Sequence, residues 1–315
     1  MAERAALQNV LHLELMLSSG SAPDEPTPLD VASNRDDAFA TARERLLARG
    51  FRERLAERRQ WLDRLEDQRR SIMRCGSTAP MKGCSVSLRY VSYAGRGFPP
   101  DQVFAQALFA FELATADPRI AGVNIVMPED GYISMRDYDL HMRMYAFLRK
   151  HYPSVSVSMH AGELSLGLVP PEQLGLHVRK AIEIAGANRI GHATDVMYDA
   201  NPFALLREMA RRRIAVEISL SSSDLILGVR GSRHPMRQLL RAGVPVVLAT
   251  DDEGVSRSDL TNEYQRAVEE HGLSYPQIKQ ISLNSIEYSF LPTDEKSRLT
   301  AKLRTAFAEF EAAER

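Results

Sequence analysis

Hydrophobic residues occur in two alternating patterns along this chain. Short apolar runs predict buried strands, and longer stretches with apolar residues three or four positions apart predict helices. From residue 84 onward the runs recur regularly, and each is followed by a helical pattern. Seven strands are predicted in this way: Asn9–Leu17, Cys84–Ser92, Ile120–Met127, Val155–Met159, Arg189–Ile190, Ile214–Leu220 and Val244–Ala249.

Helices are predicted between and after these strands. Repeated strand–helix units with short connections indicate a parallel sheet covered by helices, and a closed (β/α)8 barrel would need one strand more. The stretch Ser19–Pro28 is rich in Ser, Pro and Gly and predicts an exposed loop. The predicted helices are Asp36–Met73 with an interruption at Gly50, Asp101–Ala116, Tyr138–His151, Pro171–Ala187, Asn201–Arg212, His234–Ala242, Asp259–His271, Tyr275–Ser289 and Glu295–Ala312.

Composition narrows the class of protein. The chain has 315 residues, 44% hydrophobic and 26% charged, and a net charge of −1, so nothing in it favours nucleic acid or an anionic membrane. No apolar run is long enough to span a bilayer. The start, MAERAALQNV, is not a signal peptide. A cytoplasmic location is the default expectation, and a periplasmic or secreted one stays open if a signal segment lies upstream.

The two cysteines, Cys75 and Cys84, are nine positions apart. Their spacing matches no zinc motif, and two cysteines do not make a disulfide framework. The sequence therefore predicts two free thiols.

Residues able to bind a metal or transfer a proton stand where three predicted strands end. His160 follows one apolar run, with Glu163 three residues later. His192 follows a second, and the pair Asp251-Asp252 follows a third. Adjacent carboxylates after a buried strand are costly unless each has a task. Because the carboxyl ends of parallel strands share one face of a barrel, we expect these side chains to form one pocket.

Other polar residues carry weaker indications. Glu217 and the run Ser221-Ser222-Ser223 close another strand, but Ser-rich turns are common and Ser222 has no base beside it in sequence. The remaining histidines of this half lie on predicted helices or loops and are expected at the surface: His141, His151, His177, His234 and His271.

Together these motifs resemble the adenosine deaminase family of zinc-dependent amidohydrolases. The resemblance runs from about Asn9 to Phe290 and implies a (β/α)8 TIM barrel of the metallo-dependent hydrolase type, incomplete by its first strand. It implies one domain over residues 1–315 with a helical insertion at about 20–78. It rests on four groups of residues: His160-Ala161-Gly162-Glu163, Arg189-Ile190-Gly191-His192, Glu217 with the Ser-rich turn, and Thr250-Asp251-Asp252, with Asn262-Glu263-Tyr264 and Asn284–Phe290 adding to them.

The resemblance also implies roles for these residues. His160 and Asp251 would be ligands of one Zn²⁺ per chain. Glu163 would protonate the purine nitrogen next to the attacked carbon, and His192 would orient and help deprotonate the attacking water. Asp252 would hydrogen-bond that water or the purine. Met127 and Gly162 would join Asp252 in contacting the substrate.

Three departures from the family pattern matter. The family carries a His-x-His pair on its first strand, and this chain has none; we match Asn9–Leu17, which includes His12-Leu13-Glu14, with the family's second strand. A truncated chain is favoured over a zinc-free descendant. Met127 stands where the family has a purine-contacting glycine. Ser219-Leu220 and Ser222-Ser223 replace the usual Cys-Pro and Ser-Asn.

The function expected is hydrolytic deamination of a purine nucleoside, adenosine to inosine and ammonia. Two alternatives stay open: a deaminase of another aminopurine or heterocycle, and a catalytically impaired purine-binding relative. The expected partner is a small purine nucleoside, with no nucleic acid and no membrane. The sequence does not indicate an oligomeric state.

Overall fold

The computed structural model describes residues 1–20 and 36–314. Most of the loop predicted at Ser19–Pro28 lies outside these residues. The strands are β1 (His12–Ser18), β2 (Ser87–Gly95), β3 (Ile120–Val126), β4 (Ser156–Ala161), β5 (Arg189–His192), β6 (Ala215–Ile218) and β7 (Val246–Leu248). The helices are α1 (Ala2–Leu7), α2 (Asp36–Leu47), α3 (Phe51–Ile72), α4 (Pro100–Ala116), α5 (Tyr132–Arg136), α6 (Tyr138–His151), α7 (His177–Glu183), α8 (Pro202–Arg211), α9 (Leu220–Leu227), α10 (Met236–Arg241), α11 (Glu253–Ser256), α12 (Leu260–His271), α13 (Tyr275–Glu287) and α14 (Thr293–Ala313).

The chain divides into two compact units. The first holds Met1–Met127 and Asp139–Ser156, and the second holds Pro128–Tyr138 and Val157–Arg315. The single domain over residues 1–315 stays a prediction. Among the described helices, none is both long and apolar enough to cross a membrane.

The first unit is built on three parallel strands. β1 pairs with β2, and β2 pairs with β3. Leu62 of α3 is fully buried against Tyr90, Leu113 and Ile120, so the inserted helix closes one face of these strands. Burying a side chain of this size stabilises the fold by roughly 1.5–3 kcal/mol. The apolar spacing that predicted α2 and α3 thus marks a face packed against the core.

The second unit carries four parallel strands. β4 pairs with β5, β5 with β6, and β6 with β7. The register places His160 beside Gly191 and Ala161 beside His192. Because all four strands run the same way, their carboxyl ends lie along one edge, and the polar residues that follow them are brought together there.

One helix predicted in this unit is broken. The pattern predicted Pro171–Ala187 as one helix, but the structure has a 3₁₀ turn at Pro171–Gln173 and α7 only from His177. Gly175 separates them with a φ of +75°, and a Cβ there would approach the backbone of Tyr198 to 2.2 Å. A close approach of two backbones, invisible in helical periodicity, ends the first turn.

The prediction of two free thiols is wrong. Cys75 and Cys84 form a disulfide with their Cα atoms 5.6 Å apart. The chain reverses around Cys75, since Arg74 and Gly76 on either side of it have φ of 55° and 87°. The N–H of Met81 then donates to the carbonyl of Met73 at 3.0 Å. This turn after α3, which spacing alone did not reveal, brings the cysteines together.

Removing the disulfide is expected to destabilise the first unit. The bridge closes a loop with a sequence separation of nine residues. The loop-entropy relation for that length gives about 2.5 kcal/mol. We expect the variant C75S/C84S to unfold at a correspondingly lower urea midpoint.

The matched control is the wild-type chain measured with and without reductant. Reductant should shift the wild-type midpoint toward that of C75S/C84S and leave the variant unchanged. Equal midpoints for wild type and variant under oxidising conditions would contradict the assignment.

Candidate active site

Three metal-capable side chains converge at the ends of β4, β5 and β7. His160, His192 and Asp251 each offer one ligand atom, and these atoms all lie within 4.8 Å of one another. The imidazole rings of His160 and His192 are 4.8 Å apart at 60°. Their burial differs: His192 is 3% exposed, His160 is partly buried and Asp251 is exposed. The group is thus reachable from solvent on its carboxylate side.

Two of these residues have a backbone conformation that is uncommon outside glycine. His192 has a φ of 70° and Asp251 a φ of 52°. Left-handed backbone costs a residue with a side chain about 1–2 kcal/mol, and such positions cluster at functional sites. The strand ends are therefore bent so that both side chains turn toward His160.

Glu163 lies beside His192. Its Oε1 is 3.6 Å from Nδ1 of His192, and the two side chains are 14% and 3% exposed. This distance is just beyond that of a direct hydrogen bond, so a proton passes between the two groups only if the side chains approach further or one water bridges them. The turn Ala161-Gly162-Glu163 follows β4 directly and sets this distance.

Ser222 connects Asp251 to a neighbouring helix. Its Oγ donates to Oδ2 of Asp251 at 2.7 Å. Ser222 lies in the first turn of α9, whose N-terminus is capped by the fully buried Glu263 of α12. Oε2 of Glu263 accepts from the N–H of Leu220 at 2.7 Å. The Ser-rich run was predicted as a turn, and the structure shows that it is a helix start holding Asp251.

The structure places the other predicted residues as follows. Asp252 is exposed and precedes α11 as its N-cap residue. Gly162 has a φ of +78°. Met127 belongs to the first unit, is 40% exposed and has a φ of 85°, so the chain there has the conformation that glycine adopts most readily. Glu217 accepts from Ser158 Oγ at 2.9 Å and pairs with Arg189, which ties three strands together.

The surface location predicted for the downstream histidines is wrong for four of the five. His141, His177, His234 and His271 are all buried, and His151 alone is exposed. Burial, helped by the nearby His271 and His192, lowers the pKa of His234 to about 3, so this imidazole stays neutral. Burial of a neutral histidine depends on tertiary packing, which helical spacing does not report.

Sequence reasoning also missed two buried acids beside this site. Glu129 is 2% exposed and Asp195 is fully buried. The first follows β3 in a short turn and the second follows β5, so both belong to the loops that leave the strand ends. Acidic residues in turns are usually solvated, and no local pattern marks these two as buried.

Asp195 has an unusual carboxyl. Burial raises its pKa to about 7, and the charges of Glu129 and Asp199 add to the effect although the N–H of Gly175 donates to Oδ2 at 2.7 Å. In the unfolded chain an aspartate titrates near pH ~4. The folded chain therefore holds a proton between these values that the unfolded chain releases.

Stability is expected to fall as pH rises from about 4 to 7 because of this group. The folded state binds more protons than the unfolded state in that window, so the free energy of unfolding decreases with pH there and levels off above the folded pKa. The difference of about three pKa units sets an upper bound of about 4 kcal/mol. The variant D195N should lack this decline when urea unfolding is followed from pH 4.5 to 8.

The exposed Asp294 at the start of α14 supplies the control D294N. This control should keep the wild-type pH profile. Parallel profiles for wild type and D195N would show that Asp195 titrates normally in the folded chain.

A family model and several curated proteins match the sequence of this chain. A family model described as adenosine deaminase matches residues 65–306. The adenosine deaminase of Vibrio cholerae is 32% identical over 188 residues, which is 58% of this chain and 48% of that protein. That of Shewanella loihica is 28% identical over 72% of this chain and 62% of the relative. The chain thus spans about half the length of the first of these curated relatives.

Solved structures share the fold at low sequence identity. An amidohydrolase with bound zinc from Burkholderia ambifaria has a TM-score of 0.65 at 19% identity, over 99% of this chain and 72% of that one. The adenine deaminase of Arthrobacter aurescens has a TM-score of 0.63 at 19% identity, over 98% and 77%. The N6-methyl-AMP deaminase of Arabidopsis thaliana gives 0.63 at 20%, over 98% and 76%.

The parallel strands, their helical connections and these neighbours define the fold class. It is the barrel of the amidohydrolase type, as the sequence predicted. The family model covers more than half of the residues, and this chain therefore belongs to the adenosine deaminase family.

Proposed function

We propose that this chain carries the catalytic face of a zinc-dependent deaminase that converts adenosine and water to inosine and ammonia. The observation that supports this most directly is the group formed by His160, His192 and Asp251, with Glu163 beside it. In a family member, these residue types at the carboxyl ends of parallel strands supply both a metal site and proton-transfer groups. The family's His-x-His pair, which supplies two further zinc ligands, has no counterpart in this sequence.

The donor set fits zinc. An imidazole and a carboxylate are typical protein ligands of catalytic Zn²⁺, and those of His160 and Asp251 lie within 4.8 Å of each other, with the His192 imidazole near enough to reach a water on the ion. His160 and Asp251 are the proposed ligands. When bound, zinc supplies the Lewis acidity that makes water nucleophilic near neutral pH.

The remaining residues move protons and hold the substrate. His192 accepts the proton of the attacking water, since its imidazole lies 4.8 Å from that of His160 and 3.6 Å from the Glu163 carboxyl. Glu163 delivers a proton to the ring nitrogen next to the attacked carbon. The exocyclic amino group takes up the proton that His192 accepted and leaves as ammonia, and the added hydroxyl returns its proton to Glu163 as the carbonyl forms. Asp252 hydrogen-bonds the water or the purine.

A second candidate substrate is another aminopurine. Met127 favours it, because a side chain stands where the family has a glycine and is 40% exposed. The solved neighbours include proteins named as an adenine deaminase and an N6-methyl-AMP deaminase. A side chain at this position would change which purine substituents can be accommodated.

The test is ammonia release from a panel of aminopurines by the zinc-supplemented protein. The panel contains adenosine, adenine, N6-methyl-AMP and AMP, and an amino-substituted pterin is added as a heterocycle other than a purine. Highest kcat/KM for adenosine supports the main proposal, and preference for another member supports the second candidate. Zinc bound at full stoichiometry without turnover of any member would overturn both and leave a non-catalytic purine-binding relative.

A further inference from the structure

The turn that carries Glu163 is held by a buried carboxylate from a different loop. Oε1 of Glu129 accepts from the N–H of Gly162 at 2.9 Å, and Oε2 accepts from the N–H of Glu163 at 2.7 Å. Glu129 follows β3, whereas Gly162 and Glu163 follow β4. Both oxygens of one side chain are thus used to fix two successive peptide groups.

His177 completes the surroundings of this carboxylate. Its Nδ1 lies 2.5 Å from Oε1 of Glu129, and its side chain is 2% exposed. The imidazole stacks on the ring of Tyr138 at 3.6 Å, and the Tyr138 hydroxyl donates to the carbonyl of His177 at 3.0 Å. Removing a carboxylate from water is costly unless hydrogen bonds replace the solvent. The three donors compensate that cost, and the stacked ring fixes the position of one of them.

The turn is also held from its opposite side. The N–H of Asp195 donates to the carbonyl of Gly162 at 3.1 Å. A Cβ on Gly162 would lie 2.5 Å from Oδ1 of Asp195 and 2.7 Å from Cγ2 of Val178, so only glycine fits. The peptide groups on both sides of Gly162 are therefore fixed, and the Glu163 side chain leaves a main chain with little freedom.

We propose that Glu129 is a positioning residue, whose carboxylate fixes the main chain at Gly162 and Glu163 and so directs the Glu163 side chain toward His192. The 3.6 Å separation between Glu163 and His192 is the distance that this arrangement maintains. Glutamine at position 129 would keep the size of the side chain but turn an amide group toward an N–H donor. The turn at Gly162 and Glu163 would then open more often, and the Glu163 carboxyl would spend less time facing His192.

The proposal is tested by amide hydrogen exchange in E129Q without substrate. Hydrogen bonds to a charged acceptor of this kind contribute enough that their loss corresponds to about 10- to 100-fold faster exchange. That acceleration is expected at the amides of Gly162 and Glu163 and not at those of Val216 and Val247 in the same sheet. General loss of protection across the unit would instead show a merely structural role.

Glu263 provides a matched control, because it is another buried glutamate that accepts main-chain N–H groups in the same unit. The variant E263Q should accelerate exchange at Leu220 and Ser221 and leave Gly162 and Glu163 protected. If E129Q does not fold, the wild type still decides: amides of Gly162 and Glu163 that exchange as fast as those of exposed loops would overturn the proposal.

The effect on catalysis rests on the proposed function and is measured separately. With the substrate that the panel identifies, E129Q should lower kcat at least 10-fold while KM and zinc content stay near wild type, since a misdirected Glu163 impairs proton delivery rather than binding. Altered exchange without any deaminase activity would refute the proposed function alone. Unaltered exchange at Gly162 and Glu163 would refute the positioning role alone.

Discussion

The variant H160A is expected to lose zinc at concentrations that saturate the wild type. Apparent binding free energies of about 10–16 kcal/mol for four-ligand zinc sites correspond to roughly 3 kcal/mol per ligand, or about 100-fold in affinity. The ligand atom of His160 lies within 4.8 Å of those of His192 and Asp251, and alanine has no group that can bind zinc. Zinc content after dialysis against a competing chelator measures the change.

Two companion variants make this measurement specific. His151 is exposed on α6, so H151A should retain wild-type affinity. The variant H192A separates two roles: zinc retained with turnover lost assigns His192 to proton transfer, whereas zinc lost as in H160A makes it a ligand. Unchanged zinc in H160A would remove the ligand assignment for His160.

The variant E163Q is expected to reduce kcat by roughly 10²- to 10⁴-fold, the range found when a positioned general acid or base is removed. Glutamine fills the same space and can still donate a hydrogen bond, but it cannot transfer a proton to the purine nitrogen. Zinc content should be unchanged, since Glu163 lies beside His192 and outside the metal-capable group. Steady-state ammonia release and metal analysis on the same sample test both statements.

Glu172 gives a control of the same chemistry. It is exposed in the loop after β4, within the same unit as Glu163. We expect E172Q to release ammonia at the wild-type rate. Turnover by E163Q within a few-fold of wild type would show that another group supplies the proton.

Strongly periodic segments were predictable from the sequence. The helix predicted at Tyr138–His151 has those bounds in the structure, and all seven predicted strands are present with shifted ends. A long apolar stripe repeats with the period of a helix, and a short buried run is typical of a strand. These patterns were clear enough that tertiary packing did not change the type of element. The barrel class is confirmed because strand–helix alternation leaves few other arrangements.

The proximity of His160 and Asp251 was also predictable, although they are far apart in sequence. Parallel strands of a barrel direct their carboxyl ends to one face, and the curvature of the sheet lets the residues after β4 and β7 approach each other although β5 and β6 lie between these strands. The structure adds what that rule could not supply, namely the left-handed backbone at His192 and Asp251. The roles of these residues stay predictions until the variants are measured.

Features that depend on packing between distant segments were missed. Helix α9 was hidden because its first turn is Ser221-Ser222-Ser223, and serine favours turns as readily as helix starts. Its cap comes from Glu263, about forty residues later in the chain. Two further features were missed for the same reason. The disulfide between Cys75 and Cys84 requires a chain reversal, and the burial of Glu129 requires a neighbouring loop, and no local sequence pattern encodes either one.

The link from Glu263 through α9 to Ser222 and Asp251 bears on how this protein could diversify. A substitution on α12 that tilts α9 would rotate the Ser222 hydroxyl and shift the Asp251 carboxylate. It would do so without changing any of the metal-capable residues themselves. Homologues or laboratory-evolved lineages that prefer a different divalent ion should therefore accumulate changes on α12 as well as at the strand ends. Mutant libraries confined to the strand-end residues would not sample these changes on α12.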